Sequence, residues 1–494
     1  MVDRSKDNNL TATVGTIILG LFSLFNMVFN STFAELHIKL SCLDFPIFIG
    51  EILMFICLIW FFFKDKKIKK IPFRYGICLI VYLLFILLKA IYGYFIWGPL
   101  AFRHAALFYY PIFAFFSYSF YSREYFDTKR KILIISIILL LFISRVFVPD
   151  WIYTCLCIAF VLVLSLPKIW MKVVFITFLL VLTPYRHFMN ISRMGMLSNV
   201  VSIVFTVSIL CFFAFSRKRN LINVFIVCAS VVLLLLVISL KMNKDRFASI
   251  FNVTLIKETI AIYDKALNEG LKNFTYKKLT VKLYNENPIN YIFENVEFEK
   301  EDLSRHDVRD DDNNKVVLQD KQKELVLVNE SVAKSSPGNV YEKIEVYRMV
   351  NIVFRLFIWT DVVEEIKTEK KMLGLDFGKP FRSKRLEILN WGTIEWQRDG
   401  WIAIHNSYLN LLYRGGIVGV FFIVCVFVIL FRMIKYFIIE RLLSGILLCS
   451  VIIYWMVSAN FLTIFELPQY AIPFWIIFGF TFAYYLGKKN VVNS

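Results

Sequence analysis

Apolar runs long enough to cross about 30 Å of hydrocarbon recur along almost the whole chain. They begin near residues 11, 43, 75, 105, 132, 151, 169, 194, 221, 403, 442 and 468. The run "VVFITFLLVLT" is the shortest, stopping before Pro184. Hydrophobic residues make up 58% of the chain and mean hydropathy is +0.62, well above a soluble globular protein. The pattern predicts an all-α polytopic membrane protein of about 12 transmembrane helices. The first run, from Thr11, lacks a following small-residue cleavage pattern and reads as a signal anchor.

Charge sets the topology. The formal net charge of +18 suggests nucleic acid only until its location is considered. Between Lys241 and Gly400 there are 27 Lys+Arg and 27 Asp+Glu, so that segment is neutral. The excess sits in short basic loops among the apolar runs: "KDKKIKKIPFR" at 64–74, "TKRK" at 128–131, "SRKR" at 216–219 and "KK" at 488–489. Such clusters mark the cytoplasmic face, which excludes nucleic acid as the partner and predicts cytoplasmic termini. Residues 1–240 then hold spans one to nine, 241–402 form a large outer loop, and 403–494 hold spans ten to twelve. The nine cysteines lie in or beside apolar runs without metal or disulfide spacing, and read as small apolar residues.

The outer loop changes character along its length. Residues 245–340 are polar and of mixed charge, and "DDDNN" at 310–314 reads as a solvated charge run rather than a cation site. Residues 341–372 read as an amphipathic helix. Val346, Val350, Val353 and Phe357 share one stripe, while Arg348, Asn351 and Arg355 share another.

Given this topology, arginines at the outer ends of spans stand against the positive-inside bias. They are Arg103, Arg186, Arg193 and Arg414, with Arg355 added by the loop helix. Lys39, Arg145 and Arg186 lie in short loops or span ends and read as snorkelling residues. Arg193 starts a span among the small residues Ser192, Gly195 and Ser198. Acidic residues near the outer face are few: Glu35, Asp44, Asp150 and Glu466. A guanidinium suits phosphate bidentately, so the arginine excess predicts an anionic ligand at the outer leaflet, and a lipid pyrophosphate fits both charge and place.

The same stretches resemble the O-antigen ligase and polymerase family. "NISRMGMLSNV" looks like its Ser-Arg-x-Gly span start, and "VFRLFIW" like its loop-helix Arg-x-x-x-Trp, here Arg355 and Trp359. "LGLDFG" falls where that family has a Gly-rich turn, with Asp376 in place of a glycine. "HNSYLNLLYRGGIVG" resembles its His-Asn…Gly signature, and "FRHAALFYYPIFAF" its arginine-led span nearer the N-terminus. The segment 245–340 looks like an enlargement of the family's loop.

The resemblance implies an integral glycosyltransferase of the GT-C type in the bacterial inner membrane, its active site facing the periplasm. It implies a glycan donor on undecaprenyl pyrophosphate, no nucleotide sugar, no cofactor and no metal, with a chain-length regulator protein as a further partner. Arg193 and Arg355, with Arg103, would stabilise the departing pyrophosphate. His405 would take the acceptor's proton, its reference pKa being near 6.5. Asn406, Arg348, Trp359 and Arg414 would bind substrate. On an ideal helix His405, Leu409, Leu412, Gly416 and Gly419 share one face, so the histidine would crown a stripe that ends in small residues.

The reading is a polymerase of O-antigen-type repeat units. The alternative is a ligase transferring the finished polymer to lipid A-core. A flippase or other transporter is the rival from another class, against which stand the single large outer segment and the lack of two matching halves.

Overall fold

The computed structural model describes residues 3–38, 47–63, 73–120, 134–135, 138, 151–182, 193–215, 339–388 and 404–492. It is mostly helical. In chain order the helices are α1 (Asp3–Ala34), α2 (Ile49–Phe63), α3 (Phe73–Trp97), α4 (Leu100–Tyr109), α5 (Ile112–Phe120), α6 (Ile152–Leu164) and α7 (Ile169–Leu182). They continue with α8 (Arg193–Phe215), α9 (Asn339–Glu369), α10 (Lys384–Ile388), α11 (Ser407–Ile439), α12 (Leu443–Ser458) and α13 (Pro468–Val492). A two-residue antiparallel ladder pairs His37 with Phe48 and Ile38 with Ile47, joining the end of α1 to the start of α2.

Among the described residues three helical stretches are long and apolar enough to cross a membrane: Val14–Ala34, Ser407–Ile439 and Pro468–Lys489. Ile49–Phe61, Val81–Trp97, Ile152–Leu164, Leu197–Thr206 and Leu443–Ser458 are apolar but shorter. The run near 105 is divided at Tyr110–Pro111 into α4 and α5, where proline supplies no N–H to a continuing helix. The runs beginning near 132 (apart from 134–135 and 138) and near 221, and the polar segment 245–338, lie outside the described residues.

The chain divides into two compact units. The first comprises 1–244, 362–381 and 401–494; the second comprises 245–361 and 382–400. In the first unit α13 is the inner helix, packed on α5, α1, α12 and α11. Its most apolar stretch is 72% buried, against 22% for α11. A helix apolar on all sides belongs in the interior, and α13 fits, burying Tyr470, Phe474, Trp475 and Phe478 in turn. The outer faces of α3 and α11 carry exposed Leu84, Leu88, Phe95, Phe421 and Phe431, the composition a lipid-facing surface needs.

Small polar residues let α8 and α12 approach. Ser458 Oγ donates to Ser198 Oγ at 2.8 Å, and both serines are buried. Between α12 and α6, Trp455 Nε1 donates to Thr154 Oγ1 at 2.8 Å, while the Trp151 and Trp455 rings lie 4.2 Å apart. Where lipid tails are as apolar as the side chains, such packing and hydrogen bonds hold helices together.

In the second unit Asp361 is the organising residue. It is buried, accepts hydrogen bonds from Ser383 Oγ and from the Arg385 backbone N–H, and pairs with the Arg385 guanidinium. Ser383 Oγ also accepts from the Leu386 N–H at 3.3 Å, starting the short helix α10.

Candidate functional site

The site in the first unit is built outward from Ser407. Its backbone N–H donates to Ala459 O (2.8 Å), its hydroxyl donates to Leu462 O (2.9 Å), and that hydroxyl accepts from the Phe465 N–H (3.3 Å). Tyr408 OH adds a bond to Met456 O at 2.7 Å. The connection between α12 and α13 is thereby fastened to the start of α11. Glu466, in that connection, comes to lie against Asn410, whose Nδ2 donates to Glu466 Oε2 at 2.9 Å.

The start of α11 is itself sharply made. His405 takes φ +56°, and Asn406 follows in extended conformation, its side chain accepting from the Leu409 N–H at 2.9 Å. Asn406 is thus an N-cap, satisfying one of the helix's orphan donors. Histidine tolerates positive φ better than most side chains, so the His-Asn pair turns the chain into the helix.

Four and eight residues after Asn406 come Asn410 and Arg414, on the same stripe. Both are almost wholly buried, at 1% and 0% exposure, and Glu466 is at 4%. Arg414 Nη1 donates to Asp376 O at 3.0 Å, and its guanidinium lies 4.6 Å from the Tyr413 ring centroid. Arg414 Nε and Nη2, Glu466 Oε1 and Asn410 Oδ1 are buried with no protein hydrogen-bond partner. Burial pushes the Glu466 carboxyl up to about 7, opposed by the charges of Arg103 and Arg414 and by the Asn410 bond.

Below this stripe α11 breaks. Gly416 has φ +54° and ψ −134°, and a Cβ there would lie 2.0 Å from Met372 O. The broken helix finds substitute partners in the turn after α9. Leu375 N–H donates to Tyr413 O (2.8 Å) and Ile417 N–H to Met372 O (2.9 Å). Gly374, at φ +73°, sits against the Arg414 carbonyl, so a Cβ at either glycine would push the two backbones apart. Lys89 of α3 closes the arrangement. Its ammonium donates to Arg414 O at 2.6 Å, to Gly374 O at 3.2 Å and to Leu373 O, and lies 5.1 Å from the Phe377 ring centroid.

Further bonds hold the same turn. Gly378 N–H donates to His104 Nδ1 at 2.8 Å, which fixes that imidazole as the Nε2–H tautomer when neutral. Lys371 pairs with Asp376 at 3.2 Å, and Lys379 pairs with Glu365 at 2.7 Å and Glu369 at 3.2 Å. Glu365 also accepts from Tyr413 OH at 2.7 Å. These carboxylates raise the Lys379 ammonium above its ordinary range against the opposing effect of its partial burial.

The residues singled out in the sequence are placed as follows. Asn406 and Arg414 share one face of α11, His405 precedes its cap, and Arg103 is an exposed residue of α4 whose charge acts on Glu466. Arg193 is the first residue of α8, and Arg348 lies within α9; both side chains lie outside the described residues. Arg355 and Trp359 are half-buried on α9 in the second unit, and Arg355 Nε is buried without a hydrogen-bond partner. The stripe anticipated from His405 through Leu409, Leu412, Gly416 and Gly419 does not form. The helix begins after His405 and breaks at Gly416, and the face it buries runs through Ser407, Asn410, Leu411 and Arg414.

Lys89, Asn410 and Glu365 were not anticipated, and Glu466 was read only as one of the few acidic residues near the outer face. Lys89 had a signal, a lone cation inside "LLFILLKAIYGYF", since an ionisable residue within a span warrants a functional hypothesis. Among the described residues no three His, Cys, Asp or Glu side chains gather as a metal site. No protein-family model, curated protein or solved structure matches this chain.

Proposed function

We propose that the chain is a lipid-linked glycan transferase of the inner membrane that polymerises O-antigen-type repeat units on the periplasmic side. The donor is a saccharide on undecaprenyl pyrophosphate, and the acceptor a second lipid-linked repeat unit. The observation that carries the reading is the start of α11, where Arg414 is wholly buried yet bonds the protein through only one guanidinium nitrogen. A buried cation with open donors marks a place where something polar is bound.

In this reading the bond between the donor's anomeric carbon and its pyrophosphate oxygen breaks, and the electron pair leaves with the pyrophosphate. Arg193 and Arg355, with Arg103, meet the growing negative charge; fixed donors are worth most where charge develops in the transition state. His405 takes the proton of the attacking hydroxyl. Arg348, Trp359 and Arg414 hold the saccharides, and Asn406 contributes its amide N–H groups, its carbonyl oxygen being engaged as the helix cap.

Deletion of the gene tests the reading through the lipopolysaccharide ladder. A polymerase deletion leaves single repeats on the core. Undecorated core with accumulated lipid-linked polymer would instead identify a ligase, and an unchanged ladder would overturn both.

A further inference from the structure

Four buried atoms, three on the first turns of α11 and one on the connection between α12 and α13, form a set whose chemistry restricts what can bind there. Arg414 Nε and Nη2 carry hydrogens to donate; Glu466 Oε1 and Asn410 Oδ1 have lone pairs to offer. None has a protein partner, and all three side chains are more than nine-tenths buried. Leaving such groups unpaired is costly, and nearly all buried polar groups in folded proteins are paired.

A phosphate suits only half of this set. It would accept from Arg414 but, with no hydrogen to give when fully ionised, would face the Asn410 carbonyl and, above about pH 7 where Glu466 is ionised, its carboxylate as well. A hydroxyl group suits both halves, since it donates once and accepts twice. Several hydroxyls on one rigid ring suit it better, because neighbouring groups can address donor and acceptors together. The placement is also built rather than incidental. Ser407 uses its backbone N–H and both roles of its hydroxyl to hold the connection carrying Glu466, and Asn410 holds the Glu466 carboxyl by its other oxygen.

We propose that Glu466, Asn410 and Arg414 form a seat for an uncharged, hydroxyl-rich sugar. Within the transferase reading, on which this part rests, the sugar is the acceptor saccharide. Arg414 then belongs to acceptor recognition, and the pyrophosphate is met elsewhere.

The test is saturation-transfer NMR on the full chain in lipid nanodiscs. The probes are the methyl glycosides of glucose, galactose and N-acetylglucosamine, with inorganic pyrophosphate as competitor. At least one glycoside should receive saturation from the wild-type protein, and excess pyrophosphate should not displace it. Glu466→Gln replaces an acceptor oxygen by a donor and should weaken that binding roughly ten- to a hundredfold. If Glu466→Gln is not recovered from the membrane, Asn410→Ser, which removes the side-chain carbonyl, provides the same comparison. No transfer to any glycoside, unchanged binding in the variant, or displacement by pyrophosphate would each overturn the seat. Because the readout is binding, a sugar seat in a protein whose deletion leaves the ladder unchanged would defeat the transferase reading alone.

Discussion

The ammonium of Lys89 lies 2.6 Å from the carbonyl oxygen of Arg414, two residues before the break in α11. That single contact links the middle of α3 to the point where α11 stops being a continuous helix. An uncapped carbonyl at such a break would be an unsatisfied acceptor. Lys89 supplies the donor, and through its bonds to Leu373 and Gly374 it also fixes the turn that packs on the break.

Replacing Lys89 by Met should therefore destabilise the protein rather than merely alter its charge. Loss of charge-assisted bonds to buried acceptors is worth about 1.5–3 kcal/mol. Thermal unfolding in detergent, followed by fluorescence, should show a lower midpoint for Lys89→Met than for Lys172→Met on α7. Equal midpoints would remove the capping role.

Gly416→Ala should be among the most damaging substitutions in the chain. The added Cβ would stand 2.0 Å from Met372 O and would hold a positive φ, costs that together reach about 2–5 kcal/mol. Gly20→Ala, where a Cβ meets nothing within 4 Å, is the matched control. Size-exclusion profiles of fluorescent fusions should show Gly416→Ala aggregated or absent and Gly20→Ala normal.

Glu466 gives a pH signature. Its carboxyl is raised from the ordinary range to about 7, so the folded state favours the protonated form. The stability linked to this group is fully present below the unfolded value and is lost as pH rises through about 7. Wild-type unfolding midpoints should fall between pH 5 and 8, and Glu466→Gln should flatten that slope. A slope unchanged by the substitution would assign it to another group.

The arginines proposed to meet pyrophosphate can be tested without removing charge. Arg193→Lys and Arg355→Lys keep the cation and lose the two-pronged donor. Chain extension should fall at least tenfold at either position, while Arg217→Lys in the basic loop should retain wild-type extension. Retained extension in both site variants would count against a pyrophosphate-binding role.

His405 requires a substitution that separates backbone from side chain. Asparagine tolerates positive φ, so His405→Asn should keep the turn into α11 while removing the imidazole. General-base loss typically costs about 10²–10⁴-fold. A well-expressed His405→Asn protein with near-normal chain lengths would leave the histidine only its turn-forming role.

Legibility in the sequence followed the range of the forces involved. Helical apolar segments declare themselves through composition, whereas the helix at Asn339–Glu369 carries no net apolar face along its whole length, so the periodicity read over 341–372 does not describe it. The N-cap at Asn406 could have been read from a small polar residue ahead of an apolar run. The burial of Arg414 could not, because it depends on Asp376 and Glu466 arriving from different segments. Gly416 shows the same limit. Beside Gly415 it reads as a small helix-packing residue, and only the neighbouring Met372–Gly374 backbone reveals that the helix must break there.

That break separates two lengths that an unbroken helix would tie together. Ile417–Ile439 alone measures roughly 34 Å at 1.5 Å per residue, enough to cross the hydrocarbon without help from the polar turns before it. A one-residue insertion within this half changes how far the helix extends at its Ile439 end, which tilt or snorkelling can absorb. The same insertion between Ser407 and Asn410 would rotate Asn410 and Arg414 by about 100° relative to the loop that carries Glu466. Length variation should therefore be tolerated on one side of Gly416 and refused on the other.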